Sequence, residues 1–276
     1  MTWWCAATTL PWSWEWRAYP GVWVFVLLLL AGFAQFGLPS DRAARRKAWG
    51  WFLPGLLLVW AALDWPIGTL GGGYLSSFHS LQYVMLALAA PPLMLLGLAP
   101  LMTERREAGR IGRPARIAAH PATGLVVHNL IVLVTHFPSV VDQLMTSQVG
   151  SLVIDLAWIT GGLALWWPAL APVGLNRLSS PLRMGYLFVQ TLPSMFPAAF
   201  LTFAEYPLYR LYELAPRAFD LLTPAYDQQL AGLIMKVVGD PIIWIGIATL
   251  FFRWANAERR ADVERQPGLP GRPASM

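Results

Sequence analysis

The sequence predicts an all-α integral membrane protein: a bundle of seven transmembrane helices, with the amino terminus outside and the carboxyl terminus in the cytoplasm. Three observations predict this. Seven apolar stretches approach the length of about 20 residues that a helix needs to cross a bilayer core. Lys and Arg crowd into every second gap between them. The composition agrees, with 56% hydrophobic and 13% charged residues and a mean hydropathy of +0.49. That profile excludes an ordinary soluble enzyme.

The expected spans are 21–39, 49–65, 78–101, 121–138, 150–170, 183–204 and 229–252. Arg42, Arg45, Arg46 and Lys47 lie between the first two, and Arg105, Arg106, Arg110, Arg113 and Arg116 between the third and fourth. Arg177 and Arg183 follow the fifth span, and Arg253, Arg259, Arg260, Arg265 and Arg272 follow the seventh. The other gaps hold only Arg17, Arg210 and Arg217. The crowded side is therefore the cytoplasm. The net charge of +5 and a pI near 9.7 do not point to nucleic acid. The basic residues flank apolar runs and form no basic face.

Three regions follow: an outer interfacial segment (1–20), a seven-helix membrane domain (21–255) and a cytoplasmic disordered tail (256–276). The first segment has no basic n-region or small-residue cleavage site, so it is expected to be translocated without a cleavable signal. Trp3, Trp4, Trp12, Trp14 and Trp16 fit the outer headgroup level, where indole is half apolar and half hydrogen-bonding. Cys5 is the only cysteine, which excludes an intrachain disulfide, and it reads as incidental. The Pro- and Gly-rich run from Gln266 to Met276 reads as disordered.

A polar residue at membrane depth costs about 2.5–3.5 kcal/mol if it is charged, so function is sought where such residues gather. They gather at one outer level. His79, Gln82 and Tyr83 occupy one face near the outer end of the third span. His136 ends the fourth, Ser151 and Asp155 begin the fifth, and Asp227, Gln228 and Met235 occupy the outer half of the seventh. Imidazole suits copper, and thioether sulfur favours Cu(I). The expected metal ligands are His79, His136, Met235 and Asp155, with Gln82, Tyr83, His128, Asp227 and Gln228 as supporting polar residues. His128 lies about 12 Å deeper than His136 along its helix, too far to share a mononuclear site directly. A buried hydrogen bond or a relay position is expected for it, and an interface position for His120.

Phe78-His79-Ser80-Leu81-Gln82, followed by Pro91-Pro92 and Leu95-Leu96-Gly97-Leu98-Ala99-Pro100, resembles the third-helix signature of the CtaG-like, caa3-type cytochrome c oxidase assembly factors of bacteria. His136-Phe137-Pro138 is similar to that family's Trp-His-x-Pro element, and Trp166-Trp167-Pro168 to its fifth-helix ending. The run from Asp227 to Met235 resembles its last-helix signature closely. The resemblance covers about residues 17–255. It implies a multi-pass protein of the bacterial plasma membrane that helps a haem–copper oxidase mature, with oxidase subunits as partners and copper at an outward-facing site. Tyr83 stands near the place of one family histidine, and Ser151 and Asp155 stand where a histidine pair is expected. Those replacements weaken metal affinity, because oxygen is a poor ligand for Cu(I).

Several of these features also have purely structural readings. Pro91-Pro92 kinks a helix, Gly161-Gly162 admits a close neighbour, Trp166-Trp167-Pro168 anchors and stops a helix at the interface, and Asp227 caps one. Lys236 suggests a retinal Schiff base, but Gly232 stands one turn before it and the third span lacks Asp and Glu. Asp240, one turn later, can neutralise Lys236 instead. The alternative function is a membrane transporter or channel for copper or a small solute, using His79, His136 and His128 as stations. Gln190, Thr191 and Asp240 leave some room for such a path. No hydrolase-like constellation marks the chain as an enzyme.

Overall fold

A computed structural model describes residues 2–110, 112–171 and 178–265. Arg177, Arg272 and the run from Gln266 to Met276 lie outside these residues, as do the side chains of Arg116 and Arg265. The described residues are helical and contain no strand.

The first helix, α1, is Pro20–Phe36, with proline at its first position, where a missing N–H costs nothing. Helix α2, Arg42–Leu63, starts when the Asp41 carboxylate accepts the Ala44 N–H. It bends by 45° into α3, Ile67–Gly73. Helix α4, Ser76–Glu107, is the centre of the molecule, packing against α2 and α3. The short α5, Arg113–Ala118, leads to α6, Pro121–Thr135, which turns by 71° into α7, Pro138–Leu144. Helix α8, Gln148–Leu170, is capped by Ser147 and packs on both α4 and α6. The sixth expected span falls on Ser180–Phe203, which runs as one apolar stretch in which turns around Pro193 mark off α9, Ser180–Gln190, from α10, Met195–Phe203. After the single-turn α11, Arg210–Glu213, comes α12, made of Pro224–Ile234, a π-helical turn Met235–Gly239, and Asp240–Arg265.

All seven expected apolar stretches thus fall on helix. By length and apolarity, four helices are able to cross a membrane, and six if each bent pair is one span. Helix α1, at 17 residues, is shorter. Two sequence expectations need correction. Helix α8 continues past Pro168 to Leu170, and Trp166 is buried at 2% exposure against Gly246 of α12 and is not an interface anchor. Of the expected tail, 256–265 is helical, because its residues include Ala257, Glu258, Arg259, Arg260 and Ala261, all of types that favour helix.

Prolines shape both helices that carry candidate site residues. Pro91 has no N–H to give the Ala87 carbonyl, and Val84–Ala89 of α4 relaxes into a π-helical turn just before it. Pro241 follows the π turn of α12 in the same way. The two π turns touch each other. Gly162 of α8 sits directly against the Ala87 carbonyl, where a Cβ has no room. The close approach read from Gly161-Gly162 is therefore real at the second glycine.

Helices α4 and α12 are locked together by Asp227. Its Oδ2 accepts the Ser76 N–H at 2.6 Å and the Ser76 hydroxyl at 2.7 Å. Its Oδ1 accepts the Ser77 N–H at 3.2 Å and the Ser77 hydroxyl. The N-cap of α12 itself is Thr223, whose hydroxyl accepts the Tyr226 N–H. Asp227 therefore caps α4, the neighbouring helix, where free N–H groups and the helix dipole favour a carboxylate.

Two outcomes are expected in thermal unfolding of the detergent-purified protein. Asp227→Ala leaves four buried donors without an acceptor and costs about 3 kcal/mol or more, while Asp227→Asn, which keeps one acceptor oxygen, costs less. Gly162→Ala forces α8 away from α4 and costs about 1–3 kcal/mol.

Candidate functional site

The first turns of α4, the end of α6 and the first half of α8 enclose two histidines in a box of aromatic rings. His79 and Tyr83 are one turn apart on α4 and face the same way. The His79 ring centre lies 4.7 Å from Trp158, 5.8 Å from Tyr212 and 6.3 Å from His136. The His136 ring lies 4.9 Å from Tyr83 and 5.8 Å from Trp158. Trp158 is held in place by donating its indole N–H to the Thr135 hydroxyl at 2.9 Å. The box is closed, with His79 1% and His136 7% exposed.

His136 occupies the C-cap of α6, beyond the last regular turn. Its Nδ1 lies 2.9 Å from the Val132 carbonyl. A carbonyl only accepts, so Nδ1 carries the proton and Nε2 keeps its lone pair. That is the arrangement in which histidine ligates metal, with the second nitrogen anchored by a backbone carbonyl. Nε2 has no hydrogen-bond partner, and neither does either nitrogen of His79 or the Tyr83 hydroxyl. Unpartnered polar atoms in a buried layer are uncommon, because each loses its water without replacement. Four such atoms belong to this box; among the described residues both His128 nitrogens, Gln82 Oε1 and the indole nitrogens of Trp12, Trp65 and Trp166 are likewise unpartnered.

The remaining expected site residues are placed elsewhere or used differently. Asp155, one turn before Trp158 on α8, accepts the Trp4 indole N–H at 2.8 Å. Among the described residues, no three of His, Cys, Asp and Glu gather closely enough to hold a metal ion, so Asp155 does not complete the histidine pair. Gln82, three residues after His79, turns to the other side and donates to the Ala62 carbonyl at 2.9 Å. Asp227 is taken up by Ser76 and Ser77 as described. Gln228 accepts the Leu208 N–H at 2.6 Å and its amide nitrogen approaches the Leu201 and Tyr206 carbonyls, tying α12 to the segment after α10. Ser151 donates to the Met145 sulfur.

Met235 and Tyr83 line a separate cavity with Gln190, Ser194 and Asp240. Its volume of about 10 Å³ is at the lower limit for one water. His128, fully buried, lies inward of the pair with its ring 6.5 Å from Tyr83, so Tyr83 stands between the two levels. Its Nδ1 faces the Gly161 backbone without reaching hydrogen-bond geometry. His120 caps the start of α6, its Nδ1 accepting the Ala122 N–H.

Two segments that carry no periodic signal pack near the box. Residues 2–8 enter the bundle, so the expected interfacial segment divides. Trp4 is buried, the Trp3 and Trp4 N–H groups bond the Gln148 side chain, Cys5 donates to the Leu63 carbonyl at 3.2 Å, and Ala7 N–H bonds Met145. Trp14 and Trp16 stay on the surface. From the other side, Tyr209 donates to the His136 carbonyl at 3.0 Å and Tyr212 to the Gly71 carbonyl at 2.6 Å. Between these two segments lies a groove of about 580 Å³, bordered by Thr8, Gly73, Asp142 and Arg210. Trp158 could have been found in the sequence, as it repeats the polar stripe of Ser151 and Asp155 at helical spacing. Trp4, Tyr209 and Tyr212 lie outside regular periodicity and carry no such signal.

A family model described as cytochrome c oxidase caa3 assembly factor matches residues 29–257. No curated protein and no solved structure gives a match. The family gives no support to the transporter or channel alternative. Its model spans most of this all-helical chain, including every element that builds the histidine box except the amino-terminal strap, and the chain belongs to the cytochrome c oxidase caa3 assembly factors.

Proposed function

We propose that this assembly factor spans the bacterial plasma membrane seven times, with its amino terminus outside, and that its His79–His136 pair holds Cu(I) on the way to the oxidase. Helix α1 supplies the seventh crossing. At 1.5 Å per residue its 17 residues reach about 26 Å, close to the hydrocarbon thickness of about 30 Å. The basic helix ends are held at neighbouring helix ends: Arg45 bonds Ser40 and Arg105 the Phe36 carbonyl where α1, α2 and α4 meet, and Arg183 bonds the Ala169 and Ala171 carbonyls at the end of α8. The histidine box lies toward the opposite helix ends, which places it outward when the basic ends face the cytoplasm.

One observation carries the copper reading: two imidazoles 6.3 Å apart between ring centres, with three of their four nitrogens unpartnered. A linear nitrogen–metal–nitrogen unit with bonds of about 2 Å separates two imidazole centres by roughly 6 Å. Cu(I) accepts such a low coordination number, and imidazole suits it. Neither ligand is anionic, and the nearby Asp155 and Asp227 carboxylates are already hydrogen-bonded. The cation's charge is left without a paired anion in a buried box. Cargo held in this way is released readily, as a transfer step requires. The protein then acts by holding and passing on a cation, without catalysis, to the oxidase subunit that receives copper.

The test is Cu(I) affinity of the detergent-purified protein, measured by competition with a chromophoric chelator. The wild type is expected to bind near one copper per chain, and His79→Ala and His136→Ala each to lose about 10–100-fold or more in affinity. Equal binding by all three proteins, or none by any, overturns the copper reading.

A further inference from the structure

We propose that the flank built by α9, α10 and α12 receives a transmembrane helix of the oxidase under assembly, with the Lys236–Asp240 ion pair as its polar contact. This rests on the assembly role. The ammonium and carboxylate groups are 2.5 Å apart, and their side chains are 33% and 21% exposed. At 1.5 Å per residue, Lys236 lies about 18 Å from Pro224 at one end of its helix and about 26 Å from Arg253 near the other. In a helix that crosses a hydrocarbon core about 30 Å thick, that puts the pair well inside both helix ends.

The flank is also less covered than the two central helices α4 and α8. The apolar windows of the Ser180–Phe203 and Pro224–Asp262 segments are 28% buried, against 56% for Ser76–Glu107 and Gln148–Leu170. Phe196 and Phe200 of α10 and Leu233 and Val237 of α12 are exposed on it. Lipid tails cover such apolar groups without penalty, but they offer nothing to an ion pair. Lys236 has three donors and Asp240 several acceptor sites, and the contact between them uses only part of that capacity. A polar group so placed in a membrane marks a contact.

The chemistry of the occupant follows from the charge. The pair is already neutral, so a charged partner side chain would bring an uncompensated charge into hydrocarbon. A Ser, Thr, Asn or Gln at the same depth completes the hydrogen bonds without adding charge. A second copy of this chain fits poorly. Two copies share one orientation in the membrane, so a two-fold contact sets Lys236 against Lys236 at equal depth. A protein whose task is to assemble a membrane oxidase has a heterologous helix at hand.

The experiment uses the full chain in native membranes, with a photo-crosslinking amino acid at Val237, which is 68% exposed, or at Leu28 of α1, 66% exposed, as control. An adduct between Val237 and a transmembrane segment of an oxidase subunit is expected, and none from Leu28. The paired change Lys236→Leu with Asp240→Leu removes the polar contact while leaving no lone charge. It is expected to keep the thermal stability of the protein and to lose the oxidase adduct. If that variant does not accumulate, the wild-type Val237 adduct decides. Adducts with lipid alone or with a second copy overturn the proposal, as does an oxidase adduct that survives in the stable paired variant. Oxidase maturation in cells lacking the protein is scored in parallel. Normal maturation there sinks the assembly role itself, whereas dependence on the protein without a Val237 adduct sinks only this surface.

Discussion

The carboxylate of Asp227 is the contact on which the geometry of the layer around His79 depends. Four donors from Ser76 and Ser77 converge on it at the first turn of α4. A helix start buried in a bundle leaves N–H groups that neither lipid nor apolar side chains satisfy. Here the neighbouring helix supplies the acceptor. One set of hydrogen bonds therefore fixes the depth of α4, its rotation, and its distance from α12. His79 lies one turn further on, so its position is set by that carboxylate as much as by its own neighbours.

A second constraint comes from the backbone. Pro91 and Pro241 each leave a carbonyl without its usual donor, and each is preceded by a π-helical turn. The turns meet each other, and Gly162 lets α8 approach the first of them at the Ala87 carbonyl. An extra residue in a turn rotates everything beyond it. The His79–Tyr83 face is therefore directed at α6 and α8, while Met235 and Asp240 are directed at a separate cavity with Tyr83 on its wall. The histidine box and the ion pair at the flank are thus neighbours through a single tyrosine.

Polarity at membrane depth is sorted into three kinds by its partners. Asp227 and Gln228 are consumed by backbone donors and act as fasteners. Asp155 is engaged by Trp4 and helps hold the amino-terminal strap over the box. His79, His136 and Tyr83 retain atoms without partners. Only the third kind has chemistry to offer a ligand, since a group already bonded must break those bonds before it binds anything else.

The sequence by itself determined the helical class, the positions of the apolar stretches, the common level at which His79 and His136 lie, and the Lys236–Asp240 pairing. These are local properties: hydropathy sums along one stretch, and a spacing of four residues places two side chains on one face whatever surrounds the helix. Tertiary structure alone decided which of those residues meet. Gln82 and Tyr83 are adjacent in sequence, yet one turns to α2 and the other to the histidine pair. Met235 and Asp155 share the outer half of the bundle with His79 but are turned to other partners. Trp4, far away in sequence, bonds Asp155 one turn before Trp158. Such outcomes depend on helix rotation and on irregular segments docking across the bundle, and these are fixed by packing and by shared hydrogen bonds, which no single stretch of sequence contains.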